Sequence, residues 1–358
     1  MKVTAKTTAP CQQRLEIHLP PQDVTEAYDA VYAQIQREAV IPGFRKGKAP
    51  RDLLAKQHSQ TAREEVLKRL IGGGIEQATQ ERHWHLVGRC DVSDVALDDA
   101  TGLKFVAEVE VAPEIKLGAY KAITLQRPAV TVTDEDVARA LAMLQERHAE
   151  MTPTGSGEQK EKQVPALDDA FAKDRGFETL EALRAKVRLD LTTHRQQESR
   201  RAVEEQLFAT LLHQSPFQVP PSLVQRQAER LKQHLTTRLL MSGLAEAQIQ
   251  PELAKLEQEF GTNAERQVQI RFLLDRIAEQ EHIAVSQEEL VRQLWSLARR
   301  TRQDPSTLRR QLDEQGAWEG LAAEVRYEKT VDFLLKAAKI EDAPAPAGAA
   351  SAQTTTTT

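Results

Sequence analysis

The stretch IPGFRKGKAP, residues 41–50, sets three cationic side chains and one phenylalanine between structure-breaking residues. Pro42-Gly43 ends the helical pattern that precedes it, and Pro50 suits the first turn of the helical pattern that follows. The sequence therefore predicts an exposed loop between two helices, and the side chains expected to project from its tip are Arg45, Lys46, Lys48 and Arg51.

The chemistry of this loop suits an anionic partner. Ordinary solvated loops also carry lysine and arginine, so the charges alone do not point to a site. Phe44 does, because an exposed aromatic ring between glycines favours a partner that covers it. Phenylalanine together with arginine and lysine is what a site for RNA phosphates and a protein groove would need. A nucleotide-binding P-loop is excluded, since Gly43 and Gly47 are one residue too close and Ala49 stands where that motif needs a hydroxyl.

The run Gly43-Phe44-Arg45-Lys46-Gly47-Lys48, followed by Ala49-Pro50, resembles the ribosome-docking signature of the trigger factor family of bacterial ribosome-associated chaperones. The resemblance extends over residues 1 to about 150 and about 164 to 340, in the order of that family's N-terminal and C-terminal domains. It implies an α+β ribosome-binding domain followed by a mostly α-helical C-terminal domain with helical arms, in an elongated multi-domain molecule.

The same resemblance implies the partners. Residues 43–48 would dock at the exit tunnel of the large ribosomal subunit, with the cations on ribosomal protein carboxylates and rRNA phosphates and Phe44 as an apolar anchor. Nascent or unfolded polypeptides would bind the C-terminal body, and the chain would form a homodimer off the ribosome. No cofactor is implied.

Local patterns in the first part of the chain agree with an α+β domain. Residues 14–19 alternate with period two, so Leu15, Ile17 and Leu19 should face a core. A helix is predicted from about residue 22 to 38 and a second helical region from 53 to 71, with a kink or close packing at Gly72-Gly73-Gly74. Residues 86–95 and 103–111 form the clearest hairpin, joined by a turn at 98–102.

Two histidines, His83 and His85, flank Trp84 at a spacing that would put both imidazoles on one side of a strand. Without a third ligand this pattern favours a structural role over a metal site. We find no serine-hydrolase elbow, zinc-protease helix or nucleotide fingerprint. The sequence therefore predicts a protein that is not an enzyme and acts without ATP.

A helix from Thr133 to about Glu150 is predicted from its N-cap and the acidic first turn. The following residues, 152–162, contain no apolar side chain to bury and predict a flexible linker. Typical members of the family carry an FKBP-type prolyl isomerase domain near this point, and such a domain could not fit in about a dozen residues. The isomerase domain is therefore expected to be absent.

The remainder of the chain is predicted to be helical almost throughout. A long helix should cover residues 179–214, another should start near Ser222, and Ser286 with Glu289 forms a capping box for a third. Most apolar stripes here indicate helix packing. Turns and tips are the exceptions, and our candidates for client binding are Leu239, Leu240, Met241, Leu244 and Trp295.

Composition bounds the class of protein. The chain has 358 residues with a formal net charge of −5, which argues against a surface that binds nucleic acid as a whole. Two cysteines are too few for a disulfide framework, and no leader or membrane-length apolar run is evident, so the expected location is the cytoplasm.

The predicted organisation has five parts: residues 1–112 form the ribosome-binding domain, 113–150 a connecting segment and helix, 151–163 the linker in place of the isomerase, 164–340 the client-binding domain, and 341–358 a disordered tail. Two alternatives remain open. One is an RNA-binding protein that uses the basic loop, and the other is a prolyl isomerase if some family activity survives.

Overall fold

The computed structural model describes residues 1–38, 44, 50–98, 100–148, 150–153, 160–163 and 165–343. Two compact units emerge. The first combines Met1–Lys116 with Ser215–Arg276, and the second combines Leu117–Gln214 with the chain from Ile277 onward. Each unit is therefore built from segments far apart in sequence.

The first unit begins with an antiparallel sheet. Its strands are β1 (Lys2–Ala9), β2 (Gln12–Leu19), β3 (Leu86–Asp98) and β4 (Gly102–Val111), in the order β1-β2-β4-β3. The predicted strand and hairpin are confirmed. One face is buried as expected, and it carries Leu15, Ile17 and Leu19 from β2 with Leu103, Phe105, Ala107, Val109 and Val111 from β4.

Two helices separate β2 from β3. They are α1 (Pro21–Glu38) and α2 (Arg51–Gln80). The glycine triplet does not kink α2, whose non-helical residue is His58. Gly74 instead provides close packing, because a Cβ built there would lie 3.3 Å from the Phe105 ring. His83 and His85 fall in the connection after α2, not on a strand as predicted.

The chain then enters the second unit. Its elements here are β5 (Thr124–Arg127), α3 (Asp134–Arg147), β6 (Glu150–Pro153), β7 (Lys160–Gln163), α4 (Asp169–Lys173) and α5 (Leu180–Gln214). The capping box of α3 is formed by Thr133 and Asp136. A core of Val137, Leu141, Phe171, Ala172 and Leu183 joins α3, α4 and α5.

The segment predicted to be a linker differs from that expectation at its flanks. β6 and β7 pair in antiparallel register, with Pro153 opposite Lys160. Residues 154–159, between them, lie outside the described part of the chain. Polar side chains do not prevent such pairing, because backbone groups make the ladder.

Three helices return to the first unit: α6 (Pro221–Met241), α7 (Glu246–Lys255) and α8 (Glu257–Gln280), the last as far as Arg276. The second unit resumes with α9 (Gln287–Thr301), α10 (Pro305–Gln315), α11 (Trp318–Ala337) and β8 (Lys339–Asp342). β8 pairs in parallel with β5, a contact that the sequence pattern did not reveal. The predicted fold class, α+β followed by a mostly helical part, is confirmed.

A charged capping box fixes the start of α9. The backbone N–H of Ser286 donates to Glu289 Oε2 at 2.8 Å, and Lys329 Nζ on α11 lies 2.9 Å from Glu289 Oε1. These contacts, the Ser286 N–H first, lower the pKa of Glu289 from 4.5 to about 2. The ionised carboxylate therefore stabilises the docking of α9 on α11.

This site predicts a pH-dependent stability. Since the pKa of Glu289 is lower in the folded chain than in the unfolded one, its contribution is complete above about pH 5 and is lost as the pH falls towards 2. We expect Glu289→Gln to lower the urea midpoint at pH 7, and this deficit should shrink steadily between pH 5 and pH 2. A deficit that stays constant over that range would show that the charge contributes nothing.

Candidate functional site

The frame of the basic loop is the helical pair α1 and α2. Ala27 and Val31 of α1 are buried against Ala62 and Val66 of α2, and Leu54 packs near the open end of the pair on Tyr32 and Ile35. α1 ends at Glu38 and α2 begins at Arg51, and the predicted loop falls between these two bounds in the sequence. The apolar contacts between α1 and α2 thus fix the two elements that flank it.

Arg51 does not project freely from the loop, contrary to the prediction. Its guanidinium forms an ion pair with Asp29 of α1, and it lies over the Tyr32 ring at 5.5 Å from the centroid. Tyr32 in turn stacks on Tyr28 at 6.0 Å. Arg51 therefore connects the start of α2 to α1. Its ion pair and its cation–π contact hold the two helices together next to the predicted loop.

Phe44 is the described residue within the loop, and it is 42% exposed. A phenyl ring with this exposed fraction can be covered by an apolar surface of a partner. The other predicted docking residues, Gly43, Arg45, Lys46, Gly47 and Lys48, lie outside the described part of the chain.

The predicted client-binding cluster lies where α6 turns into α7. Gly243 takes a positive φ of 88°, and the N–H of Leu244 donates to the carbonyl of Leu239 at 3.2 Å, which closes a tight turn. Met241 is 83% exposed and Leu240 48% exposed, whereas Leu239 and Leu244 are half-buried. The turn therefore exposes Met241 and Leu240 to solvent and leaves the other two candidates half-buried.

A groove of about 800 Å³ runs between α6 and α8 next to this turn. Its apolar wall consists of Leu231, Leu235, Met241 and Phe260. No residue of α6 is fully buried, so the apolar stripe of this helix is only partly covered within the first unit. A groove of this size and character can accept apolar side chains of a flexible polypeptide.

Trp295 lines a second groove, of about 500 Å³, between α9 and α10 in the second unit. It is 55% exposed, beside the exposed Val291. Trp318 forms part of the same groove and donates its indole N–H to Asp313 at 2.7 Å. Trp295 thus occurs in an apolar groove, on a different unit from the Leu239–Leu244 cluster.

The sequence did not reveal how α6 is attached to the sheet. Glu110 of β4 is only 6% exposed, and its carboxylate accepts hydrogen bonds from the N–H and hydroxyl of Ser222 and from the N–H of Arg89. It therefore caps the first turn of α6, which has no cap of its own. The partners Glu110 and Ser222 are 112 residues apart, so no local pattern could have indicated the contact.

Gly88 makes this arrangement possible. A Cβ at this position would lie 1.8 Å from Glu110 Oε2 and 2.8 Å from Glu110 Cβ, closer than two such atoms can approach. The glycine leaves room for the buried carboxylate next to β3. In the sequence, Gly88 interrupts the strand pattern. A glycine inside a strand often marks a place where another group approaches the backbone closely.

The described residues include no group of three or more His, Cys, Asp or Glu side chains that could hold a metal ion. Among the described helices, none is both long and apolar enough to cross a lipid bilayer.

Two family models match the chain, and both describe the same family. A family model described as "Bacterial trigger factor protein (TF)" matches residues 1–144, and one described as "Bacterial trigger factor protein (TF) C-terminus" matches residues 179–336. Residues 145–178, which include β6 and β7, lie outside both matches.

Relatives in curated collections extend over nearly the whole chain. The trigger factor of Anaeromyxobacter sp. (strain Fw109-5) is 25% identical over 430 residues, which cover 96% of this chain and all of the relative. The trigger factor of Koribacter versatilis (strain Ellin345) is 27% identical over 404 residues, covering 88% and 92%. Since this chain has 358 residues, both alignments include residues of the relatives that have no counterpart here.

Among solved structures, one of a trigger factor chaperone, from work on promiscuous substrate recognition in folding and assembly, is similar in fold. Its TM-score is 0.50 at 19% identity, and the alignment covers 94% of this chain and 99% of that one.

Proposed function

Because the chain belongs to the trigger factor family, we propose that it is a ribosome-associated, ATP-independent chaperone that shields nascent polypeptides. The observation that carries this proposal is the match of both family models, to residues 1–144 and 179–336, around the intact motif at residues 43–50. The RNA-binding alternative is not favoured, since the chain is acidic overall, with a net charge of −5.

The docking element is the loop of residues 43–48, at the exit tunnel of the large subunit. Arg45, Lys46 and Lys48 pair with ribosomal protein carboxylates and rRNA phosphates, where charge-assisted hydrogen bonds are strongest. Phe44 inserts as an apolar anchor, consistent with its exposure in the free chain. The contacts of Arg51 with Asp29 and Tyr32 support this role. They fix the start of α2 next to the loop, which reduces the conformational entropy lost when the loop binds.

Client binding is assigned to the two apolar grooves. Among the candidates at the α6–α7 turn, Met241 lines the first groove, while Leu239, Leu240 and Leu244 are its neighbours in the turn. Trp295 lies in the α9–α10 groove. Exposed Met241 suits varied clients because its side chain is flexible and polarizable. Release needs no ATP. Once a client has folded and buried its own apolar segments, these segments no longer bind the groove.

We further propose the division of the chain predicted from its sequence, with a ribosome-binding domain at residues 1–112 and a client-binding domain at 164–340. The segment 151–163 takes the place of the isomerase domain. Two findings support this: neither family model matches residues 145–178, and the alignments to relatives are longer than this chain. The proposed location is the cytoplasm, and a homodimer off the ribosome is proposed by analogy with the family.

The absence of the isomerase domain predicts an activity result. The chain should not accelerate cis–trans isomerisation of a proline-containing tetrapeptide above a buffer blank, because on this proposal the domain that would supply the enclosing apolar pocket is missing. A protease-coupled assay measures this directly, with a full-length trigger factor as positive control. Acceleration that scales with protein concentration would contradict the assignment of residues 151–163.

The chaperone function is tested by two measurements on the unaltered chain. It should co-sediment with salt-washed ribosomes, and it should suppress aggregation of a chemically unfolded protein without ATP. Suppression without ribosome binding would leave a holdase that acts free in solution. Failure of both would remove the proposed function altogether.

A further inference from the structure

The groove between α6 and α8 carries an uncompensated positive charge. Arg238 and His234 line it, and no aspartate or glutamate is among the residues that do. Within the part of the chain that the structure describes, neither Arg238 nor His234 takes part in an ion pair or a side-chain hydrogen bond. Both side chains are exposed. They are therefore free to pair with a ligand.

The rest of the lining is apolar or neutral. Leu231, Leu235, Met241 and Phe260 supply the apolar wall, and Asn263 with Gln267 supplies amides that can donate or accept hydrogen bonds. An ion pair between Lys232 and Glu257, 2.8 Å apart, also joins α6 to α8, but it adds no net charge. The positive charge of the groove thus comes from Arg238.

The second groove differs in charge. Between α9 and α10 the lining includes Arg309 but also Asp313, so cation and anion occur together around Trp295. The two grooves therefore share apolar walls but not electrostatic character. Because of this difference in charge, the two grooves can prefer different client polypeptides.

From this we propose that the α6–α8 groove selects apolar polypeptide segments that carry acidic residues, with Arg238 as the specificity-determining residue. This inference rests on the proposed chaperone function, and it names the class of client for one of its two grooves. The apolar wall accepts the leucine and phenylalanine side chains of such a segment, while Arg238 pairs with a flanking carboxylate. An arginine accepts a carboxylate through two parallel hydrogen bonds, which adds orientation to attraction.

Two labelled peptides test the proposal. Both carry the same leucine- and phenylalanine-rich core, flanked in one by aspartates and in the other by lysines. Fluorescence anisotropy at low ionic strength should show tighter binding of the aspartate-flanked peptide, by about five-fold, as expected when one solvent-exposed arginine attracts the first peptide and repels the second. Raising the salt concentration should reduce that ratio, because exposed charges are screened.

Variants assign the preference to the groove. Arg238→Glu should bring the ratio to one or below, and Arg238→Gln should give an intermediate value without placing an acid in the last turn of α6. The matched control is Arg230→Glu, which makes the same charge change at an exposed position of the same helix outside the groove. It should retain the ratio of the unaltered chain.

Equal binding of both peptides by the unaltered chain, or a ratio that survives in Arg238→Glu, would overturn the proposal. Suppression of aggregation by the unaltered chain is measured alongside. If suppression persists while the peptides bind equally, only the selectivity of this groove is wrong. If suppression is also absent, the proposed chaperone function fails with it.

Discussion

Replacing Phe44, Arg45 and Lys46 together by alanine should weaken ribosome binding by at least about a hundredfold. The substitution removes one exposed aromatic anchor and two cations from the loop. Truncating an anchor residue at an interface typically costs about 2 kcal/mol or more, and 1.4 kcal/mol corresponds to a tenfold change in affinity. The loss should appear as failure to co-sediment with salt-washed ribosomes at micromolar concentration.

The structure provides a matched control for this variant. Leu86, Lys68 and Arg69 are also one exposed apolar residue and two exposed cations of the first unit, away from the loop. Their triple alanine variant should sediment like the unaltered chain. If both variants lose binding equally, the effect is one of general charge; if neither does, the loop is not the docking element.

Salt dependence separates the two contributions within the loop. Log affinity falls as log salt concentration rises. Removal of two cations that contact phosphates should make this negative slope shallower by roughly one to two. Phe44→Ala alone should weaken binding at every salt concentration and leave that slope unchanged. A Phe44 variant with a reduced slope would mean that the ring acts by positioning the neighbouring cations.

Local sequence patterns predicted the elements of this chain well, because their causes are local. The alternation in residues 14–19 places Leu15, Ile17 and Leu19 in the core, and the Ser286–Glu289 box starts α9 as predicted. The residues Leu239 to Leu244, singled out because they were expected at a turn or tip, do lie at the turn after α6, where Gly243 takes a positive φ. In each case the neighbours that determine the conformation lie within a few residues.

Contacts between distant segments could not be predicted in this way. β5 pairs with β8 across more than two hundred residues, and Glu110 caps a helix that starts 111 residues later. The prediction for Arg51 failed for the same reason, since its partners Asp29 and Tyr32 lie on the other helix of the pair. The kink of α2 at His58 has no local signal comparable to the glycine triplet, which remains helical.

The second large effect concerns stability, and it follows from the buried carboxylate. Gly88→Ala should destabilise the chain by about 2–4 kcal/mol, because its Cβ would displace Glu110 from the N–H and hydroxyl of Ser222. The overlap includes Glu110 Cβ, 2.8 Å away, so rotation of the carboxylate alone cannot relieve it. A displaced charge that stays buried without its donors is costly.

A glycine of the same chain provides the control. Gly72 lies in α2, and a Cβ added there would meet nothing within 4 Å. Gly72→Ala should therefore stabilise the chain by about 0.5–1 kcal/mol, the helical preference of alanine over glycine. Urea unfolding at pH 7 measures both variants, and opposite signs are the expected result.

A double-mutant cycle then tests whether Gly88 acts through Glu110. Glu110→Ala alone should cost about 1–3 kcal/mol, since α6 loses its cap and Ser222 loses an acceptor. In the double variant the overlap with the carboxylate is gone and only the contact with the Cβ of residue 110 remains, so the combined cost should be smaller than the sum of the two single costs. Additive costs would mean that the alanine at position 88 acts on the strand itself and that the capping of α6 by Glu110 contributes little.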